Sequence, residues 1–333
     1  LLLPLPQGMS PAGLSVAAVT VLMAVWWVSE AIPVAATALL PVVLFPLLDV
    51  LGGAEVTRAY GNHLIYLFLG GFLIAVTMER WNLHHRIALH TIRLVGVTPR
   101  RIVLGFMLAT AFLSMWISNT ATTMMMVTIA VAVLREIEHE KHHKPGELWF
   151  GTVLMLGICY AASIGGVATL IGTPPNVIFA GVLEKNYGIS ISFTDWMGFA
   201  LPLSVVMLAV TWVYLTRMLC PDTKTHIPGG AELIQRQLAS LGPMSRQEKQ
   251  VALVFVTVAL LWILRGLYQP AWLAPVKDST IAMAGALLLF LIPVNLKERE
   301  FLLDWETAVT VPWDIIILLE AASRWRRALV NPG

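Results

Sequence analysis

The chain is short of charge. Of its 333 residues only 13% are Asp, Glu, Lys or Arg, against 57% hydrophobic, where a typical soluble domain carries roughly a quarter charged residues. That shortage excludes an ordinary soluble globule, which could not hide so much apolar surface. Cysteine is scarcer still: Cys159 and Cys220 sit in or beside apolar segments without a pairing pattern, so they say nothing of redox compartment. The start shows neither a basic n-region nor a small-residue cleavage site to suggest a signal peptide. The first residue is Leu, and 1–5 with Pro4 and Pro6 reads as the tail of an earlier apolar segment, so the expectation is a chain that begins inside a longer one.

What the chain has is long apolar runs. A bilayer asks for about 20 apolar residues per spanning helix, and 14–28, 31–48, 63–78, 151–183, 198–215, 251–264 and 280–294 meet or approach that length. The fold class expected is an all-α polytopic protein of the cytoplasmic (inner) membrane, with the bilayer as its solvent and no nucleic acid as partner.

The net charge of +2 is uninformative as a total, but its distribution orients the spans. Loops rich in Lys and Arg stay cytoplasmic. The stretch 80–101 holds Arg80, Arg86, Arg93, Arg100 and Arg101 against no acid, and 217–249 holds five bases against three acids, so both are placed inside. The loops 52–62 and 183–195 are placed outside. The mixed loop 135–147, put inside, makes the later crossings consistent and forces 102–134 to begin and end on one side. Its arms, 102–117 and 121–134, are each short of a span. A re-entrant hairpin follows.

At the bend of that hairpin stand Ser118, Asn119 and Thr120, then Thr122 and Thr123. Hydroxyls and an amide at membrane depth are tolerated only against protein or a water-filled cavity. The plainer alternative is interhelical hydrogen-bond glue. The functional reading is that the Ser118 hydroxyl, the Asn119 side-chain oxygen and freed carbonyls are hard ligands for a small cation, while the next half-helix offers N–H groups to an anion. Ser114, one turn earlier, adds an oxygen on the same face.

A second interruption lies in 151–183. Ser163 to Gly166 and then Ile171-Gly172-Thr173-Pro174-Pro175-Asn176 cannot continue a regular helix, since consecutive prolines remove donors and push Thr173 from helical geometry. A simple proline kink is the alternative. Paired discontinuous segments near the midplane point to a transporter site, and neither break contains Arg or Lys. A dianion would be held there by dipoles, hydroxyls and bound cations.

Two rival readings stand beside this. His139-Glu140-Lys141-His142-His143 satisfies the H-E-x-x-H pattern of a membrane zinc metalloprotease, but it lies in a charge-rich loop that Pro145 closes, with no clear third ligand. Two midplane breaks also fit a channel-like or non-transporting membrane subunit. Glu30 and Glu79, near apolar segment ends, read as structural. No enzymatic activity and no organic cofactor are expected.

The tip Ser118-Asn119-Thr120 followed by Ile171-Gly172-Thr173-Pro174-Pro175-Asn176, together with Trp26-Trp27-Val28-Ser29-Glu30-Ala31-Ile32-Pro33 and Leu67-Phe68-Leu69-Gly70-Gly71-Phe72, resembles the divalent anion/sodium symporter family of dicarboxylate, citrate and sulfate transporters. The likeness covers about residues 10 to 313. It implies sodium-coupled secondary transport of a small dianion by an inverted-repeat, elevator-type homodimer. It implies a sodium site at Ser114, Ser118, Asn119 and Gly172, and a substrate site at Asn119, Thr120 and Thr173. The division it suggests is scaffold helices in 1–62, a first-repeat transport region in 63–215 and a cytoplasmic linker in 216–250. The start of a second repeat falls in 251–313, with a divergent Arg-rich tail in 314–333. The second Ser-Asn-Thr hairpin of the family has no copy here, so the expectation is a chain that stops before the second repeat is complete.

Overall fold

In the computed structural model of the protein, the described residues are 10–57, 62–96, 98–140, 146–219, 230–268 and 275–322. They are almost wholly helical. Three helices open the chain: α1 (Pro11–Ser29), α2 (Val34–Ala38) and α3 (Leu40–Leu47). Ser10 caps α1 by accepting from Gly13 N, and Glu30 ends it in the left-handed region at φ 50°. The apolar stretch 31–48 therefore makes two short helices rather than one, with Pro33 at the cap of α2, Pro41 in the first turn of α3 and Pro46 inside it. Val16, Val19, Met23, Ala38 and Phe45 form a small core of their own here.

After α4 (Gly53–Thr57) comes the main body. It comprises α5 (His63–Arg80), α6 (Leu83–Val95), α7 (Pro99–Ser114), α8 (Asn119–Glu140), α9 (Gly146–Val167), α10 (Pro174–Tyr187) and α11 (Phe193–Val213), the last running into a π-helical turn at Tyr214–Leu219. Then follow α12 (Gly230–Ser240), α13 (Arg246–Leu267) and α14 (Asp278–Leu291), with α15 (Trp305–Ala308) and α16 (Trp313–Ala322) at the end. Among the described residues, five helices are long and apolar enough to cross a membrane: Pro11–Ser29, His63–Arg80, Trp149–Val167, Phe193–Leu219 and Arg246–Leu267. The outward faces of α11 and α13 carry Phe199, Val205, Val210, Leu253, Leu260 and Leu264 exposed, as a lipid-facing surface requires. By contrast α7, at 16 residues, reaches about 24 Å at 1.5 Å per residue, short of a hydrocarbon core about 30 Å thick.

Two expectations need correction. The Arg-rich stretch 80–101 is not a loop: it folds as α6, with Leu83, Ala88, Leu89 and Ile92 buried on one side. The linker 216–250 likewise contains α12 and the first turn of α13. The all-helical architecture holds, with one small exception. The apolar run 280–294 leaves α14 before Pro293, which has no N–H to give a helix. There it pairs β1 (Pro293–Asn295) with β2 (Glu300–Phe301) as a small antiparallel hairpin.

The charged ends fall into two groups, as the loop charges suggested. At one end Arg86 of α6 binds Glu248 of α13 at 2.7 Å and the carbonyls of Leu241 and Gly242. Arg80 of α5 pairs with Asp304 and Glu300, and Trp212 of α11 donates to Arg100 O at 3.1 Å. The far end of α8 comes back to this group through α12, which packs on both α6 and α8. At the other end Arg265 of α13 binds Asp278 of α14 at 2.8 Å, and Asp278 accepts from Phe193 N at the start of α11. His63 of α5 lies there too, 3.8 Å from Glu184 of α10.

Between these ends the helices touch through glycine. A Cβ on Gly165 of α9 would fall 2.2 Å from Ala111 O of α7, and one on Gly70 of α5 would fall 2.7 Å from Ala282 of α14. Gly165→Ala is expected to cost about 1–3 kcal/mol through overpacking, read as a lower thermal unfolding midpoint in detergent. Gly198→Ala, with nothing within 4 Å, is expected to leave the midpoint unlowered.

Asp304 gives a second test. Burial pushes its carboxyl up, but hydrogen bonds from Thr307 and the Arg80 guanidinium outweigh that and hold it below the ordinary carboxylate value. A carboxyl depressed on folding stabilises above its unfolded pKa, and that stabilisation fades as pH falls through the acid range. Asp304→Asn is therefore expected to flatten the acid-side fall of the unfolding midpoint below about pH 4.

Candidate functional site: two interlocked helix breaks

The first break lies between α7 and α8, at residues 115–118, and the second between α9 and α10, at 168–173. The close α7–α9 crossing at Gly165 brings the two together. Ser114 ends α7 fully buried, and its hydroxyl stands 2.6 Å from Asn119 Oδ1 and 2.7 Å from Ala162 O. Thr169, also fully buried, donates its hydroxyl to Met115 O across the two breaks. Asn176, on the first turn of α10, donates to Gly166 O at 2.9 Å and Thr169 O at 2.7 Å. Thr169 of the second break thus serves a carbonyl that the first has freed, Ser114 ties the first break to α9, and Asn176 serves two carbonyls of its own break.

With the Asn119 amide oxygen turned inward, the contacts around Ser114 do not balance for neutral groups. A serine hydroxyl has one proton, yet two acceptor oxygens lie within hydrogen-bond reach of it. Turning the Asn119 amide over would let its NH2 donate to Ser114, and Ser114 donate on to Ala162 O. The oxygen-inward arrangement gathers Ser114 Oγ, Asn119 Oδ1 and Ala162 O without enough protons, which is how a hard cation is greeted. Gly172 borders the same spot, since a Cβ there would lie 2.5 Å from Gly166 O and 3.0 Å from Ser114 O. Gly166 in turn faces Asn119, whose Oδ1 would be 2.4 Å from a Cβ at that position.

The residues named from sequence divide as follows. Ser114, Asn119 and Gly172 come together. Ser118 sits at the same turn, but its hydroxyl accepts from Ala121 N at 3.2 Å as the cap of α8. Thr120 is exposed and Thr173 half-buried. Thr173 occupies the cap position of α10 without making a side-chain cap bond, so its hydroxyl is free for a ligand. Pro174 and Pro175 deprive the start of α10 of two N–H donors. The N–H groups open to an anion are accordingly those of Asn119 and Thr120 at the start of α8, which have no intrahelical partner.

Sequence reasoning assigned no role to Asn176, Thr169 or the Ala162 carbonyl. Asn176 stood in the quoted motif, and its place just after two prolines was the available signal. Two further buried polar atoms flank the tip without partners, Trp116 Nε1 and Thr122 Oγ1. No group of three His, Cys, Asp or Glu suited to a metal occurs among the described residues. Residues 141–143 of the His139–His143 motif lie outside them.

A polar crossing of two broken helices inside an apolar body is what a family of membrane carriers would need. The family model described as the sodium:sulfate symporter transmembrane region matches residues 1–325. This chain belongs to that family. A sodium-dependent dicarboxylate transporter, SdcS, from Staphylococcus saprophyticus is 45% identical over 339 residues, an alignment that takes in 100% of this chain and 65% of that protein. The protein of the same name from Staphylococcus aureus strain USA300 is 44% identical over 334 residues, with 98% and 64% covered. This family member thus spans about 65% of the length of these curated relatives, and its several apolar helices and its match to a transmembrane-region family make it a multi-pass membrane protein.

Within it, Asn176 holds the second break. Asn176→Leu leaves two buried carbonyls without donors, at about 1–3 kcal/mol for each unsatisfied group. The expected result is a marked fall in the thermal midpoint, larger than that for Thr120→Ala at the exposed side of the tip.

Proposed function

We propose that the chain serves secondary active transport of small divalent anions, of the dicarboxylate, citrate or sulfate class, coupled to sodium and proceeding by alternating access. The observation that carries this reading is the convergence of Ser114, the Asn119 amide and Ala162 O beside Gly172, which with the amide oxygen inward gathers more hard ligands than protons. In this reading sodium is held by Ser114, Ser118, Asn119 and Gly172, the last through its backbone. The dianion meets Asn119, Thr120 and Thr173 on the side of the tip where α8 presents unpaired N–H groups. Sodium is the coupling ion and no organic cofactor takes part. The named relatives, both described as sodium-dependent dicarboxylate transporters, support the substrate class.

The α7–α8 pair then acts as a re-entrant hairpin. Its short first helix and the return of α8 to the basic end through α12 support that geometry. In the same proposal 1–62 and 251–313 belong to scaffold and second repeat, 63–215 to the moving part and 216–250 to the linker. The inverted repeat, the elevator movement and the homodimer are carried by the family likeness. A zinc protease built on His139, His142 and His143 is not favoured, because the relatives are named as transporters.

Sodium is expected to raise the thermal midpoint of the purified protein above its value in potassium, following the linkage of binding to stability. Asn119→Ala is expected to remove that increment. In proteoliposomes, uptake of a labelled dicarboxylate should require sodium and fall at least tenfold in Asn119→Ala, as loss of about 1.4 kcal/mol of binding dictates. Equal midpoints in sodium and potassium, or a variant that keeps sodium-dependent uptake, would sink the reading.

A further inference from the structure

From residue 80 to residue 101 the chain carries five arginines and three histidines and no Asp or Glu. Two of the arginines are neutralised within the fold, Arg80 by Glu300 and Asp304 and Arg86 by Glu248. The other three, Arg93, Arg100 and Arg101, have no acidic partner among the described residues. His84 and His85 add nothing to this charge near neutral pH, since burial lowers both below the ordinary imidazole value.

The three guanidiniums occupy one corner. Helix α6 turns Leu83, Ala88, Leu89 and Ile92 to the core and His90, Arg93 and Leu94 outward, and Leu94 is 86% exposed. Gly96 then reverses the chain at φ +110°, where a Cβ would come within 3.1 Å of the Arg101 side chain. Arg100 and Arg101 lie in the first turn of α7, at the positive end of its dipole, where acids are preferred. Thr98 makes no cap bond there, and Arg100 Nε is buried without a partner. The corner therefore concentrates uncompensated positive charge around an exposed leucine.

We infer that the outward face of α6 and the first turn of α7 dock on anionic phospholipid headgroups, with Arg93, Arg100 and Arg101 on phosphate oxygens and Leu94 among the acyl chains. Charge complementarity selects the occupant, because a basic face carrying an apolar residue suits an anionic interface. Position does so as well: α6 joins the ends of α5 and α7, both sunk in the apolar body. The Trp212 indole bound to Arg100 O marks the headgroup level where such rings collect. The basic composition puts this face on the cytoplasmic leaflet.

The test titrates the detergent-solubilised chain with phosphatidylglycerol or phosphatidylcholine and follows thermal unfolding. Phosphatidylglycerol should raise the midpoint by several degrees and phosphatidylcholine should not. The pair Arg93→Gln with Arg101→Gln should lose most of that shift, and the pair Arg93→Lys with Arg101→Lys should keep most of it. Arg299→Gln, which removes one charge between Glu298 and Glu300 at the same end of the molecule, should keep it whole. Equal shifts from both lipids, or a full shift in the glutamine pair, overturn the inference. So does the same shift from inorganic phosphate alone, which would assign the face to a soluble oxyanion. If the glutamine pair does not fold, high salt on the unaltered chain decides, because the preference for phosphatidylglycerol must then fade.

Discussion

A helix broken inside an apolar interior frees carbonyl and amide groups that water cannot reach, and everything else in this structure is arranged around their pairing. Thr169 and Asn176 do most of it, and Ser114 ties the first break to α9. Ser114 reaches from α7 to Ala162 O, Thr169 reaches from the second break to Met115 O, and Asn176 spans Gly166 O and Thr169 O. None of these bonds closes within one break alone except those of Asn176. The breaks are therefore stable as a pair, and the pair exists only because Gly165 lets α7 and α9 approach to backbone contact.

That dependence explains where the charges went. The two strongly buried ion pairs among the described residues, Arg86 with Glu248 and Arg265 with Asp278, stand at the two ends of the helices, far from the breaks in sequence. Removing one partner of such a pair strands a buried charge, at roughly 3–5 kcal/mol, so these pairs fix which helix ends stand together. At the Arg265 end they border a cavity of about 380 Å3 lined by His63, Glu184, Lys277 and Ser279 among others. The middle layer is left to neutral groups, namely hydroxyls, amides and helix ends.

The two breaks were legible in the sequence because their causes are local: a hydroxyl-amide cluster at one, consecutive prolines at the other. The grouping of loops was legible because charge follows the side of the membrane. Helix α6 was hidden by its own composition. Arginines suggested a loop, while the spacing of Leu83, Ala88, Leu89 and Ile92, which does mark a helix face, was outweighed. The β1–β2 hairpin was missed because Val294 continued an apolar run and only Pro293 argued against it. The Ala162 carbonyl could not be read at all, since any residue type carries a carbonyl and its use depends on a helix 48 residues away. Asn176 lies between these cases: its identity was visible, but its two acceptors sit seven and ten residues back along the chain.

The absence of Lys and Arg from both breaks has a consequence for coupling in the proposed function. A fixed cation beside the tip would hold a dianion whether or not sodium was present, and the two binding events would be independent. A cluster of neutral oxygens and N–H dipoles offers a dianion too little charge on its own. In that proposal, sodium at Ser114 and Asn119 would add the missing charge within one turn of Thr120, where the Coulomb gain in a poorly solvated site is large. Each ion then raises the affinity for the other by the same factor, as linkage requires. The Asn119 amide gives this coupling a moving part: oxygen-inward it suits the cation, and NH2-inward it satisfies Ser114 in the empty site. Binding would thus select one of two amide orientations in a side chain that touches both breaks at once.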